Sequence, residues 1–366
     1  MIFENDKISM RQLQALLILD ILGACITNIP KKAVAYAVQD GWISTLVSLL
    51  LACASVYLIT TSGKILAGRQ FTEYAGIILG KPLGALLAAG LFVKIAVCTG
   101  MQLRLFGEIV RQIMLPNTPI GVVTALIAIS GLAAAAAGYE ARARAGEILV
   151  FVVTVPMLIL LAFVAFTADF TNLLPLFKSH PADIARGGAA NMAAFTGIEF
   201  LYLVFPFIRS GGWKEVRPAA IKAVTAAGAL ALIITVVTIA KFSPAVLATE
   251  KWPLIQLMDS AGTPGSFLER MDAVLMSFWI VSAYAMVSAG VFFSALLTKS
   301  VIKAGGYRGH AVFCALLVFA VSFAAANEDT ANAVLNFMFA YFGGFYYFII
   351  PVLLICVAKI RRLGAK

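Results

Sequence analysis

The chain has 366 residues, of which 61% are hydrophobic and only 13% are charged, and its formal net charge is +10. A soluble globular domain is nearer half apolar and a quarter charged, so this composition indicates an integral membrane protein. The basic residues fall in short connections between apolar runs rather than in a patch with exposed aromatic residues, which argues against nucleic-acid binding.

About ten segments are apolar enough to cross a bilayer as helices, each needing about 20 residues. In chain order they cover residues 12–38, 41–61, 82–114, 120–138, 145–168, 189–208, 218–240, 271–297, 310–326 and 335–358. Residues 71–78 are amphipathic and predict a short helix lying along the membrane surface. We therefore expect residues 1–366 to form a single all-α membrane domain.

The basic residues are distributed unevenly between the two sides of this arrangement. If the N-terminus is cytoplasmic, eighteen fall on the cytoplasmic side, among them Arg142, and eight on the other. The remaining two of the 28, Lys94 and Arg104, lie inside the third segment. Because basic residues concentrate in cytoplasmic loops, both termini are predicted to be cytoplasmic and the number of spans to be even.

Two segments contain residues that interrupt a helix. The first combines Gly23 and Pro30 around small polar residues, and the sixth places Thr196 and Gly197 beside Glu199. Proline removes a backbone donor and glycine weakens a helix, so these stretches predict broken helices 1 and 6 facing protein or a cavity. For the first segment, an ordinary proline kink is the alternative.

The two interrupted segments are five segments apart and so run in opposite directions. This is the arrangement of a 5+5 inverted repeat, here with repeats at about residues 10–168 and 184–358. The ends of broken helices offer N–H groups for a carboxylate and carbonyls for an ammonium. The predicted ligand-binding residues are Gly23, Ala24, Thr27, Cys98, Thr196, Gly197, Tyr284, Met286 and Gly290. The alternative is that these residues only allow membrane helices to pack closely.

Ionisable side chains at membrane depth cost about 2.5–3.5 kcal/mol on insertion scales and usually face a partner or a cavity. The five candidates are Asp20, Lys94, Arg104, Glu108 and Glu199. Arg104 and Glu108 are four residues apart, which predicts an ion pair on one helix face. Asp20 and Glu199 are then left to meet Lys94, solvent, a ligand ammonium or a proton.

Other chemistry finds little support in the sequence. There is no GxxxxGK[ST] motif, and the two histidines lie far apart, so neither an ATPase nor a His-based catalytic or zinc site is expected. The five cysteines lie in apolar segments without CxxC spacing and are expected to be free thiols. We expect no enzyme activity, no cofactor and no metal site. Sodium coupling stays open, because Ser282 and Ser288 of the eighth segment carry hydroxyls that can ligate sodium.

Short motifs over nearly the full length carry a family resemblance. They are Leu22-Gly23-Ala24, Ile29-Pro30, Asp40-Gly41-Trp42-Ile43, Glu73-Tyr74, Leu79-Gly80-Lys81-Pro82-Leu83-Gly84, Asn172-Leu173-Leu174-Pro175, Thr196-Gly197-Ile198-Glu199, Phe205-Pro206, Trp252-Pro253, Leu268-Glu269-Arg270-Met271-Asp272 and Trp279. With these motifs the chain resembles the B subunit of GerA-type spore germinant receptors, a branch of the amino acid–polyamine–organocation transporter superfamily.

The resemblance implies a LeuT-like fold of ten helices in the spore inner membrane or cell membrane. It also implies a role in sensing a small germinant, most simply an amino acid, beside receptor A and C subunits. An amino acid or polyamine transporter with alternating access, and a water or ion conduit opened during germination, are the alternatives. Asp20 departs from the family pattern, which leads us to expect a neutral or small polar residue at this position.

Overall fold

The computed structural model describes residues 6–209, 212–260, 271–303 and 305–363, with the side chains of residues 24–28, 259 and 271–278 outside that description. The described chain is built from helices, with an isolated parallel bridge between Ile8 and Ile208. The α-helices are α1 Met10–Ala37, α2 Gly41–Lys64, α3 Phe71–Leu79, α4 Lys81–Ile113, α5 Ile120–Ala137, α6 Tyr139–Phe166, α7 Pro181–Asn191, α8 Leu201–Val204, α9 Val216–Thr249, α10 Pro253–Asp259, α11 Met271–Ile302, α12 Tyr307–Ser322, α13 Glu328–Phe337 and α14 Ile350–Ile360.

Local sequence signals explain where several helices begin. Ser9 and Gln12 form a reciprocal capping box at the start of α1, which satisfies two free backbone donors. Pro181 and Pro253 occupy the first turns of α7 and α10, where a missing N–H costs nothing. The Asn327 side chain accepts a hydrogen bond from the Thr330 N–H and caps α13.

The multi-pass, all-helical character expected from the composition is confirmed. Among the described residues, seven helices are long and apolar enough to cross a membrane, or up to eight if one bent pair counts as a single span. Helix α12 is only 16 residues long, and part of α1 and α11 falls outside the described side chains. The expected number of ten spans is therefore not confirmed by length and hydropathy.

The interruption predicted in the first segment is absent from the backbone. Helix α1 runs without a break from Met10 to Ala37 and keeps Pro30 inside it. Gly23 serves helix packing, because a Cβ built there would lie 3.1 Å from the Ser282 carbonyl oxygen and 3.2 Å from Met286 Cβ of α11. A single proline is tolerated inside a membrane helix where neighbouring helices accommodate the freed carbonyl.

The interruption predicted in the sixth segment is present. Residues Pro181–Phe195 and Ile198–Phe207 form two helical halves that meet at an angle of 57°, and we call this pair the bent span. Gly197 lies between the halves with a φ of 108°, in the left-handed region that side chains rarely adopt. The bend therefore requires a glycine at this position.

The long helices pack as two groups. Helices α1, α2 and α9 pack against one another and against the first half of the bent span. Helices α4, α5, α11 and α12 form the second group. The run Glu328–Ile360, which we call the C-terminal run, lies across both groups and contains π-helical turns at Met338–Gly343 and Phe345–Ile349. Helix α1 contacts α11 and thereby joins the two groups around the bend at Gly197.

Candidate functional site

The bend at Gly197 is in direct contact with α1. A Cβ added to Gly197 would lie 3.0 Å from the Cβ of Asp20, so the two backbones approach as closely as glycine allows. The Gly197 N–H, left without a helical partner by the bend, donates to the Glu199 carboxylate over 3.1 Å. Thr196 closes the preceding turn by donating from Oγ1 to the Ala193 carbonyl. Thr196 and Gly197, two of the predicted site residues, thus form the bend, which we call the hinge.

A buried ion pair lies on one side of this hinge. The Lys94 ammonium of α4 is 2.5 Å from Glu199 Oε1, and both side chains are fully buried. The Tyr347 hydroxyl donates to Glu199 Oε2 over 2.8 Å. The Lys94 ammonium also lies over the rings of Tyr347 and Phe339, 4.8 and 5.4 Å from their centres. Glu199 therefore accepts from three groups, one each on α4, the hinge and the C-terminal run.

A second buried ion pair lies on the α1 side of the hinge. The Arg142 guanidinium of α6 pairs with the Asp20 carboxylate. It also donates to the Ser288 hydroxyl over 3.1 Å and to the Ala285 carbonyl over 3.2 Å, both on α11. Arg142 thereby joins α1, α6 and α11.

The sequence interpretation placed Arg142 in a cytoplasmic connection, and this was wrong. Helix α6 begins at Tyr139 rather than at residue 145, which brings Arg142 into the bundle with only 6% of its surface exposed. The sequence signal for that earlier start is Gly138. It directly precedes the helix and adopts a φ of 99°. The Ser288 hydroxyl, considered for sodium, accepts from Arg142 and donates to the Ala285 carbonyl.

A cavity of about 720 Å³ lies near the hinge, between the C-terminal end of α1, the first half of the bent span and the C-terminal run. Four aromatic residues line it, namely Tyr36, Phe339, Tyr347 and Phe348, and we call the last three its aromatic floor. Alanine and glycine residues, with a methyl group or no side chain at all, leave the space open. The lining residues used below are Lys32, Arg186, Ala189, Phe339, Tyr347 and Phe348. A volume of this size is typical of small-molecule sites.

None of the seven predicted ligand-binding residues whose side chains are described lines this cavity. Gly23 and Met286 form the α1–α11 contact, and a side chain at Gly290 would collide with Thr99 of α4. Cys98 packs in a small apolar cluster with residues that include Met101 and Leu335. Each of these four positions lies at a contact between helices or within an apolar cluster.

Tyr284 does not line the cavity either. Tyr284 is half-buried on α11, and the side chains of Ala24 and Thr27 lie outside the described residues. Cys53, Cys98, Cys314 and Cys356 are free thiols, while Cys25 also lies outside the description.

The other two membrane-depth charges lie in a separate, polar cavity of about 670 Å³ at the end of α4. Arg104 Nη2 is 2.9 Å from Glu108 Oε1, as their spacing predicts, and Arg111 lies 3.0 Å from the other Glu108 oxygen. Across the same cavity Lys251 pairs with Glu328 at 3.1 Å. This hydrogen bond and the negative charge of Glu328 raise the pKa of Lys251.

On the other side of the hinge, the second half of the bent span packs against aromatic rings of α6 and α11. Tyr139 stacks on Phe292 and contacts Phe207, while Phe200 stacks on Phe293. We call these five residues the aromatic cluster. The hinge therefore has the cavity on one side, beyond the Tyr347 ring, and closely packed aromatic rings on the other.

Comparison with known proteins identifies the family. The profile of the spore germination protein family matches residues 7–333 of the chain. The chain belongs to the spore germination protein family. The match confirms the resemblance drawn from the sequence motifs.

Several curated relatives align with this spore germination protein over most of their length. Spore germination protein YndE of Bacillus subtilis is 24% identical over 364 residues, 99% of each chain. Spore germination protein KB of the same organism is 23% identical over 373 residues, 99% of this chain and 98% of the relative. Spore germination protein GerQB of Bacillus cereus is 28% identical over 336 residues, 88% of each chain.

In this spore germination protein, one side chain belongs both to the cavity and to the hinge. The Tyr347 ring lines the cavity, and its hydroxyl bonds the carboxylate that holds the Gly197 N–H. Sequence reasoning missed Tyr347, which follows the paired glycines Gly343 and Gly344. That glycine pair and the surrounding aromatic residues are the signal that could have pointed to it.

Proposed function

We propose that this chain is the nutrient-sensing B-type subunit of a spore germinant receptor. It binds a small germinant, most simply an amino acid, and signals to A and C partner subunits in the spore inner membrane. The observation that carries this proposal is the double role of Tyr347, which lines the cavity and bonds Glu199 at the hinge. Family membership supports the biological setting.

We further propose ten membrane spans with both termini in the cytoplasm, built as a 5+5 inverted repeat over residues 10–168 and 184–358. The packing supports this arrangement. The first two spans of each half, α1 and α2 and then the bent span and α9, pack in the first group. The third and fourth spans of each half, α4 and α5 and then α11 and α12, pack in the second group. The short helices α3 and α10 follow the second span of each half. Matching positions in both sequence order and packing are what an internal repeat requires.

In this proposal the germinant occupies the cavity and acts on the hinge through its aromatic floor. Phe339 and Tyr347 separate the cavity from the Lys94 ammonium. A germinant that moves the Tyr347 ring removes one of the hydrogen bonds that hold Glu199. Because Glu199 also accepts from the Gly197 N–H, the angle of the bent span then changes. The germinant shifts this equilibrium by its difference in affinity for the two arrangements.

The segment that carries Tyr347 is suited to such a movement. It lies within the π-helical turns of the C-terminal run. A π-turn contains one more residue than an α-turn, and such turns are frequent at functional sites. A change from π to α geometry rotates the following residues about the helix axis, and we take this rotation as the movement that carries the Tyr347 ring away from Glu199.

The signal then leaves through the second half of the bent span. The carbonyl of Phe207, its last residue, accepts from the Ile8 N–H over 2.9 Å, and the Lys7 ammonium donates to the Pro206 carbonyl over 2.7 Å. A change in the bend therefore pulls on the N-terminal segment. We propose that the partner subunits detect the movement at this end of the bundle.

An alternating-access transporter and a gated conduit both need a path past the hinge. That path would run through the aromatic cluster, where Tyr139, Phe207 and Phe292 pack within 6 Å of one another. A receptor needs no such path, only a movement of the bent span. Transport would in addition require this packing to open in a second arrangement.

The test of the proposal is ligand binding to the purified full-length chain. Thermal unfolding in detergent is followed against amino acids, nucleosides and sugars, since a ligand at a hundredfold excess over Kd stabilises by about 2.7 kcal/mol. We expect one class to stabilise the wild type. Ala189→Trp places an indole in the cavity and abolishes the effect, whereas Ala182→Trp, exposed about two turns earlier in the same helix α7 and outside the cavity lining, leaves it intact.

The same samples separate the alternatives. If no compound stabilises the chain, alone or with its partner subunits, or if Ala189→Trp binds like the wild type, the cavity is not the germinant site. Reconstitution of the lone chain in liposomes then tests transport. Accumulation of the stabilising compound would overturn the receptor assignment in favour of a transporter.

A further inference from the structure

The charged side chains described in the cavity lining are all basic. They are Lys32 and Arg186, and the described lining contains no carboxylate. Arg186 lies at the rim with 72% of its side chain exposed and an Asp183 oxygen 3.4 Å away. Lys32 is half-buried in the wall. The electrostatic environment of the cavity is therefore set mainly by Lys32.

Lys32 differs from the other basic side chains inside the bundle. Lys94, Arg104 and Arg142 are each buried and paired with a carboxylate. The Lys32 ammonium donates to the Asn336 amide oxygen over 2.8 Å and has no carboxylate partner among the described side chains. An ammonium has three protons, and a charge in an apolar wall is costly without an opposite charge. Lys32 is thus able to bind an anion.

The rest of the cavity is suited to an apolar group. Apart from Lys32, Arg186 and Asn336, the described lining consists of aromatic, aliphatic, methionine and glycine residues, among them the rings of the aromatic floor. Such a surface binds aliphatic or aromatic groups by burying their area and offers few polar partners. In particular, no described carboxylate in the lining can accept from a ligand ammonium.

We infer that the germinant cavity recognises a small carboxylate with an apolar body, through its carboxylate at Lys32 and its body on the aromatic floor. The inference rests on the proposed function, because it names the ligand class of the same cavity. The sequence analysis expected helix-end N–H groups to bind the ligand carboxylate and helix-end carbonyls to bind its ammonium. The present inference differs, because here the amino group of the ligand contributes little to the affinity. The carboxylate is bound by a side chain and the apolar body is adjacent to Tyr347.

Three compounds with one branched carbon skeleton test this assignment. L-leucine carries both groups, isocaproate lacks the amino group, and isoamylamine lacks the carboxylate. Their affinities are measured by thermal stabilisation of the purified full-length chain. We expect leucine and isocaproate to bind within a few-fold of each other and isoamylamine not to bind.

Lys32→Met and Lys31→Met form the matched pair of variants. Both lysines are half-buried on α1, but Lys31 does not line the cavity. Lys32→Met is expected to weaken isocaproate binding by about tenfold or more, the loss typical of a hydrogen bond to a charged group. Lys31→Met is expected to bind like the wild type. Equal binding of isocaproate to both variants, or binding of isoamylamine as tight as that of isocaproate, overturns the inference.

The outcomes also separate this inference from the proposed function. If a nutrient without a carboxylate stabilises the chain and Ala189→Trp abolishes the effect, the cavity is the germinant site but the carboxylate assignment is wrong. If palmitate stabilises the chain and isocaproate does not, the cavity holds a lipid chain, and the assignment to a small carboxylate is wrong as well.

Discussion

At the scale of single residues, the hinge is defined by two carboxylates and the cations they meet. Asp20 pairs with Arg142 and Glu199 with Lys94, on the two sides of Gly197. Buried pairs contribute little net stability, because desolvation offsets their attraction, but breaking one leaves a lone charge in the interior. Their role is therefore to fix the arrangement of α1, α4, α6 and the bent span.

Replacing Glu199 with glutamine tests this role. Glu199→Gln leaves the Lys94 ammonium buried without a counter-charge, and we expect it to lower the free energy of unfolding by about 3–5 kcal/mol. The double variant Lys94→Met/Glu199→Gln removes both charges and is expected to recover part of the loss. Denaturation in detergent measures both variants.

The control is an ion pair on the surface. Arg144 and Glu140 lie four residues apart in α6, and 71% of the Arg144 side chain is exposed. Glu140→Gln is expected to cost no more than about 1 kcal/mol. If Glu199→Gln is as mild as Glu140→Gln, Glu199 is uncharged in the folded protein or finds another partner.

At the scale of elements, two segments with similar sequence signals behave differently. Gly23 and Pro30 sit in a continuous helix, whereas Thr196 and Gly197 form a 57° bend. The difference is in what each glycine contacts. Gly23 keeps helical geometry and lets α11 approach, while Gly197 adopts a left-handed conformation against Asp20. Only the second glycine is required by its backbone dihedral angles.

Alanine at position 197 tests the hinge. Gly197→Ala forces a side chain into a left-handed conformation, which costs about 1–3 kcal/mol, and sets its Cβ 3.0 Å from that of Asp20. We expect a lower unfolding temperature and a weakened response to germinant. Gly309→Ala in α12 is the control, because nothing lies within 4 Å of its added Cβ and alanine favours a helix. Equal stability of the two variants would show that the bend does not depend on glycine.

At the scale of the whole molecule, the cavity and the opposite end of the bundle are connected through a short series of contacts. Tyr347 links the cavity to Glu199, Glu199 to the Gly197 N–H, and the bent span to Ile8. Such a connection requires two arrangements of one element, and the bent span with the adjoining π-helical turns supplies that element. Binding and response are therefore expected to be separable by mutation.

Tyr347→Phe is the variant that separates them. It keeps the ring in the cavity wall but removes the hydrogen bond to Glu199, so germinant affinity is expected to stay within a few-fold of the wild type. The germinant concentration needed for half-maximal germination, measured in spores that carry all receptor subunits, is expected to rise about tenfold or more.

Tyr346→Phe is the matched control for this variant. Its hydroxyl donates to the Leu87 carbonyl rather than to Glu199, and Tyr346 does not line the cavity. This variant is expected to lose a similar hydrogen bond without a change in response. Equal responses of the two variants would contradict the connection through Tyr347. A large loss of affinity in Tyr347→Phe alone would instead make its hydroxyl part of the binding site.

The sequence by itself determined the features that depend on neighbouring residues. The apolar runs predicted the helices and the membrane environment, the Thr196-Gly197 pair predicted the bend, and the spacing of Arg104 and Glu108 predicted their ion pair. Each of these properties is set within one or two helical turns. Hydropathy, backbone conformation and i, i+4 contacts are local quantities, so the order of residues is sufficient to predict them.

Only the tertiary structure decided which distant side chains meet. Arg142 pairs with Asp20 across 122 positions, Lys94 with Glu199 across 105, and Tyr347 with Glu199 across 148. These contacts depend on which helix faces pack together, and on a six-residue difference in where α6 begins. The cavity likewise forms from α1, the bent span and the C-terminal run, and no single stretch of sequence contains it. Packing in three dimensions brings these parts together because the hinge lets the bent span lie against α1 and the C-terminal run at once.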